Sequence, residues 1–201
     1  MDRRIVLIGD AGCGKTALAM KMSENIFNDF YQPTSFENFQ AELPTNKGRC
    51  QITIMDTSGC HENTQLRKLA YKECDAVIVC FDLTDEETLT SVEKKWIPEL
   101  REYCPQVPVF IAGCKRAIMC ENNCCCGRNC CMQTEEELLR IVSSTGAMAF
   151  LECSAAEPIS EDGVENLFKF VVESSGKKKK SILTSIKKRS KQLKRRLSIH
   201  F

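Results

Sequence analysis

A chain of 201 residues holds one ordinary domain with a short extension, and 43% hydrophobic with 27% charged residues suit a globular body. The net charge of +1 hides a segregation: 11 of the 28 Lys and Arg lie from Lys177 onward with no acidic residue, which leaves 17 against 27 Asp and Glu, a charge of −10, in residues 1–176. No run reaches the roughly 20 apolar residues of a membrane span, Ile5 to Ile8 is too short for a signal peptide, and the 14 cysteines are expected as thiols in a reducing compartment.

Strand-like apolar runs are expected at 4–8, 36–43, 49–55, 76–82, 107–113 and 149–153, with Pro44 to Gly48 as the hairpin turn between the second and third. Helical patterns lie among them. Thr84 with Glu87, and Thr134 with Glu137, have capping-box spacing. Leu89, Val92, Trp96 and Leu100 follow at helical intervals, and Val164, Leu167, Phe168, Val171 and Val172 form one apolar stripe on the last helix of the body. The interleaving predicts an α/β fold with a doubly wound sheet, whose ligands sit beyond the carboxyl ends of the strands.

Gly9-Asp10-Ala11-Gly12-Cys13-Gly14-Lys15-Thr16 is a complete G-x-x-x-x-G-K-[ST] loop, directly after a strand and opening a helix with Ala17. The glycines let backbone N–H groups curl toward phosphate oxygens. Lys15 is placed to neutralise the β/γ end, and Thr16 to offer its hydroxyl to Mg²⁺. Asp56-Thr57-Ser58-Gly59 ends the third strand. There Asp56 can hold Mg²⁺ through water, and the Gly59 N–H can face a γ-phosphate. Alone that tetrapeptide is a common turn composition; after a P-loop at this distance it carries weight.

The chain resembles the Ras superfamily, and specifically the Rho family, over residues 3–174. Tyr31-Gln32-Pro33-Thr34-Ser35-Phe36-Glu37-Asn38-Phe39 is similar to the Rho switch I and effector segment. Lys94-Lys95-Trp96, Tyr103-Cys104-Pro105 and Glu152-Cys153-Ser154-Ala155 match Rho segments as well. Asp56 to Gly59, Ala76 to Asp82, Glu87-Thr88-Leu89 and Gly113-Cys114-Lys115 read in the style of the Rnd branch.

The resemblance implies a Ras-like P-loop domain over 1–176, a mixed sheet flanked by helices, monomeric by family default, with a basic tail over 177–201. It makes Thr34 the switch threonine that closes on Mg²⁺ and γ-phosphate, and Phe27 the ring edge-on to the base. Ser154 and Ala155 become the base-binding loop, the Ala155 N–H meeting the guanine O6. Thr34, Phe36, Glu37, Asn38 and Phe39 become the effector surface for Rho-type effectors or regulators. Rnd proteins are persistently GTP-bound antagonists of Rho signalling to actin, and that role is the expected one by analogy.

Hydrolysis in this class depends on positioning a water and stabilising the transferred phosphoryl group. The family's water-positioning glutamine follows the D-T-x-G glycine, and here that position is Cys60, too short to hold water and phosphate together. Ala11 stands at a P-loop glycine where a side chain crowds the water and an incoming arginine finger. Ser58 replaces the usual alanine. The family's [NT]-K-x-D motif reads Cys114-Lys115-Arg116-Ala117: Lys115 can pack its stem over the base, but the guanine-reading aspartate is Ala117. GTP (or GDP) with Mg²⁺ is the expected ligand, mainly GTP with little hydrolysis. A nucleotide-empty scaffold and a working GTPase switch stay open.

The stretch 117–133 resembles a rewritten Rho insert and holds Cys120, Cys124, Cys125, Cys126, Cys130 and Cys131. A Zn²⁺ site, a reactive or acylatable loop and a drifted insert without specific chemistry all stay open, because the spacing lacks the C-x₂-C pair of most structural zinc sites. The chain ends Ser198-Ile199-His200-Phe201 and its last cysteine is Cys153, so no C-a-a-X prenylation is expected. Instead Ile182, Leu183, Ile186, Leu193 and Leu197 make a narrow apolar stripe at helical pitch, with Lys and Arg over the rest. The expectation is a cytoplasmic protein held reversibly on an anionic membrane surface. Ser190 and Ser198 follow basic runs as kinase sites would. Nuclear or nucleic-acid targeting and a merely solvated tail are the alternatives.

Overall fold

β1 (Asp2–Ile8) sorts its side chains by the two-residue period of a strand, Ile5 and Leu7 to one face and Val6 and Ile8 to the other, all four buried. The computed structural model, which describes residues 2–28, 30, 32–46, 48–115, 135–156 and 163–175, sets this strand inside a six-stranded sheet of order β2-β3-β1-β4-β5-β6. The other strands are β2 (Phe36–Thr45), β3 (Gly48–Thr57), β4 (Ala76–Asp82), β5 (Val109–Cys114) and β6 (Ala149–Glu152). Among the described residues only β2 and β3 pair antiparallel and the other neighbours run parallel, so the sheet is mixed. Every residue of β4 and of β5 is buried, as strands covered on both faces must be.

Among the described residues the helices are α1 (Lys15–Glu24), α2 (Thr64–Lys72), α3 (Glu86–Ser91), α4 (Ile97–Tyr103), α5 (Glu135–Thr145) and α6 (Val164–Ser174). On one face, Leu18 of α1 and Leu167, Phe168 and Val171 of α6 cover Ile5, Leu7, Ile78 and Phe110. On the other, Tyr71, Trp96, Leu100 and Ile141 cover Val6, Ile8, Val79 and Ile111. Each such side chain contributes about 1.5–3 kcal/mol by leaving water. Among the described residues no helix is long and apolar enough to cross a membrane.

The expected strands are present, with shifted ends and one correction. Pro44 is not in the hairpin turn: it belongs to β2, opposite Arg49, and Thr45 pairs with Gly48. β2 is an edge strand, where a residue without an N–H is tolerated. A second correction concerns the third helix. Its cap is Asp85, whose Oδ1 accepts from the Glu87 N–H at 2.9 Å, not Thr84. The Thr84 hydroxyl is taken by Asp82 Oδ1 at 2.7 Å. Leu89, Val92, Trp96 and Leu100 are all buried as the periodicity predicts, yet not on one regular helix. A π turn (Val92–Trp96) separates α3 from α4. Pro98 stands in the first turn of α4, with no N–H to offer the carbonyl of Lys94 four residues back. The cap residue Thr134, the insert 117–133 and the tail 177–201 lie outside the described residues.

Candidate functional site

The loop from Gly9 to Gly14 joins the carboxyl end of β1 to α1, at the point where the sheet's connections part to either side. Its outer glycines are required by geometry. Gly9 has φ +145° and a Cβ there would collide with the Cys80 carbonyl; Gly14 has φ +107° and lies so close that a Cβ would be 3.1 Å from Cys114 Cβ. Gly14 also precedes α1 without a side-chain cap, which leaves the first amides of the helix for an anion to satisfy. Beneath the loop the buried Lys15 Nζ donates to the carbonyls of Gly9 at 3.0 Å and Asp10 at 2.7 Å.

Three residues far apart in sequence meet beside that lysine. Thr16 Oγ1 is 2.9 Å from Thr34 Oγ1 and donates to Asp56 Oδ2 at 2.5 Å. Asp56 is fully buried, and its Oδ1 has no hydrogen-bond partner among the described residues. Burial pushes its carboxyl up to about 6 against the lowering pull of the Thr16 bond and Lys15. An orphaned buried carboxylate oxygen on a residue already bonded to the Thr16 hydroxyl, itself paired with Thr34, fits a hard divalent cation such as Mg²⁺. Switch I and β3 are tied together by the Ser58 N–H to the Ser35 carbonyl, 3.1 Å.

Gly59 is pressed onto the phosphate loop, since a Cβ would collide with Ala11 N and the Asp10 carbonyl carbon. Cys60 and Ala11 are both exposed, and the Ser58 hydroxyl accepts from the Cys60 N–H at 3.1 Å. The carbonyls around Gly59 are held by side chains that sequence reasoning missed. The Arg67 guanidinium, 0% exposed, donates through Nη1 to Ser58 O at 3.0 Å and Cys60 O at 2.7 Å. Lys95 Nζ lies 3.3 Å from both Gly59 O and Asp10 Oδ1, and Trp96 Nε1 donates to the same Asp10 oxygen at 3.1 Å. In the sequence Lys95 stands out only as part of the family-like triplet Lys94-Lys95-Trp96, and Trp96 also as a periodic apolar position.

The far side of the site is built by strand ends. Cys114, Ser154 and Ala155 are buried, and the Cys153 N–H bonds to the Gly113 carbonyl at 2.9 Å. Lys115 turns the chain with φ +63° and places Nζ 2.7 Å from Asp82 Oδ2. Although burial works against its charge, bonds from Lys115 and Thr84 hold the Asp82 carboxyl below the ordinary carboxylate range. Phe27, in the stretch after α1, is 43% exposed. In the expected effector segment Phe36, Glu37 and Asn38 are exposed and Thr34 half-buried. Phe39 is a correction: it is buried in the core with Leu43, because alternation along an edge strand turns every second residue inward. Tyr31, Arg116 and Ala117 lie outside the described residues.

A glycine-bounded loop that hands its amides to an uncapped helix, on a sheet of this order, defines a P-loop nucleotide-binding protein. The Ras family model matches residues 4–177. The chain is 35% identical over 168 residues to the Rho-related GTP-binding protein RhoE of Homo sapiens and of Mus musculus, covering 82% of this chain and 68% of theirs. To the RhoE of Sus scrofa it is 34% identical over the same length. The chain therefore belongs to the Ras family, within which it is a Rho-family small GTPase of the Rnd-like kind and a GTP-binding signalling protein.

Proposed function

We propose that this protein is held mainly in the GTP-bound state, hydrolyses it little, and acts through its switch surface on effectors that govern the actin cytoskeleton and cell shape. One observation carries the reading: an intact phosphate and cation cradle at Lys15, Thr16, Thr34 and Asp56 stands beside an exposed Cys60 that has no means of orienting a water. In the mechanism the loop amides and Lys15 hold the phosphates. Thr16, Thr34 and Asp56 would hold Mg²⁺, which neutralises charge on the β- and γ-oxygens when bound. Arg67 and Lys95 keep the backbone around Gly59 on the phosphate loop. Exposed Phe36, Glu37 and Asn38, with half-buried Thr34, supply a partner surface for Rho-type effectors.

A nucleotide-empty scaffold is the second reading. It is favoured by the direct Thr16–Thr34 bond and by side chains that hold the Ser58–Cys60 backbone unaided. Denaturing the purified protein and chromatographing what it releases separates the readings. GTP is the expected product; an empty protein overturns it in favour of the scaffold, and mostly GDP points to a working switch.

Residues 177–201 we assign to reversible attachment at the cytoplasmic face of an anionic membrane, each basic residue contributing about 1 kcal/mol near the surface. Flotation with neutral and anionic liposomes tests it, and indifference to lipid charge overturns it.

A further inference from the structure

Asp82 is the last residue of β4 and the register partner of Cys114, the last residue of β5. Its carboxylate is held from two sides. Oδ1 accepts from the Thr84 N–H at 2.9 Å and the Thr84 hydroxyl at 2.7 Å, and Oδ2 pairs with Lys115 Nζ at 2.7 Å. The main chain is tied too, with Asp82 N donating to Thr88 Oγ1 at 3.0 Å and Leu83 N to Cys114 O at 3.1 Å. The side chain of Asp82 is 9% exposed and that of Lys115 is 35%. The ammonium is thus pinned to a buried anion while the lysine side chain as a whole is only partly covered.

The place of this pair matters. β1, β4 and β5 are parallel, so their carboxyl ends share the edge where a ligand lies. Gly14 of the phosphate loop abuts Cys114, the neighbour of Lys115. A ligand with phosphates in the loop must extend its other end over these strand ends. Lys115 has a left-handed backbone, φ +63°, and its ammonium ends on Asp82 at the same edge.

We propose that Asp82 is a positioning residue of the base site: by pinning the Lys115 ammonium it lays the lysine stem as an apolar platform for the face of a purine. This rests on the reading that the chain binds a nucleotide. A platform recognises the ring face, which adenine and guanine share, so Asp82 supports both equally. A long alkyl stem prefers apolar surface while its charged head seeks water or a counter-ion. Without Asp82 the head swings to solvent and takes the stem with it. An uncharged stem of similar length needs no counter-ion.

The test compares dissociation constants of GTP and ATP, with Mg²⁺, for the full chain and for Asp82→Asn, Asp82→Glu, Lys115→Met and the double variant Asp82→Asn/Lys115→Met. Asp82→Asn is expected to weaken both nucleotides about tenfold, the order of one lost charge-assisted bond. Asp82→Glu should recover part of that loss. The double variant should bind several-fold tighter than Asp82→Asn, because Met keeps an apolar stem without needing the anion, a non-additive cycle. If the double variant is as weak as Asp82→Asn or weaker, Asp82 only ties the strand ends and the proposal fails. It also fails if Asp82→Asn leaves both constants unchanged, or shifts one nucleotide alone. A parent protein that binds neither nucleotide sinks the nucleotide reading itself, and this inference with it.

Discussion

Arg67 and Glu99 form a two-pronged pair, Nε to Oε1 and Nη2 to Oε2, each at 2.8 Å, across the contact between α2 and α4. The same guanidinium also donates to Thr64 Oγ1 at 2.9 Å and sits 5.1 Å from the Trp96 ring centroid. Tyr71 OH adds a third bond to Glu99 at 2.7 Å. A planar fork can serve a carboxylate on one edge and two backbone carbonyls on the other, which no lysine could do. The backbone from Ser58 to Cys60 is therefore anchored to α4 through Arg67.

Arg67→Ala leaves Glu99 without its partner and the carbonyls of Ser58 and Cys60 without donors. The expected loss is about 3–5 kcal/mol of unfolding free energy, typical of a buried pair broken on one side. Urea denaturation measures it. A loss below about 1 kcal/mol would show the anchor to be incidental.

Acid should expose the same pair. Burial alone would raise the Glu99 carboxyl, but bonds from Arg67 and Tyr71 hold it below its ordinary value. A depressed folded value means its contribution is complete above the unfolded value of about 4.3 and is lost as pH falls through the folded one. The thermal midpoint should drop below about pH 4 and, in Glu99→Gln, should start lower and fall less. Parallel curves would contradict the assignment.

Cys60→Gln alone should leave hydrolysis low, because Ala11 still crowds the position that water and glutamine must share. The double variant Cys60→Gln/Ala11→Gly should raise the single-turnover rate by on the order of tenfold or more. Equal, negligible rates in parent, single and double variants would place the defect elsewhere.

Chelating Mg²⁺ should speed nucleotide release from the parent, since Thr16, Thr34 and Asp56 would lose what joins them to the phosphates. In Asp56→Ala, release should be fast from the outset and insensitive to chelator. Stopped-flow fluorescence of a labelled GTP reads both rates, and a chelator effect that survives in Asp56→Ala would remove Asp56 from the cation site.

The phosphate loop was legible in the bare chain because its chemistry is local: glycines, lysine and threonine within eight residues leave the backbone few alternatives. So were the buried strands, whose continuous apolar runs state their own burial. Side-chain partnerships between distant segments were not. Asp10 with Lys95, Arg67 with Glu99 and Asp82 with Lys115 depend on which strands lie side by side and in what register. The inward turn of Phe39, the edge place of Pro44 and the cap at Asp85 were settled the same way. Local spacing decides which groups a segment can offer; only packing decides what each one meets, because the free energy of a polar contact comes from a partner the sequence does not place.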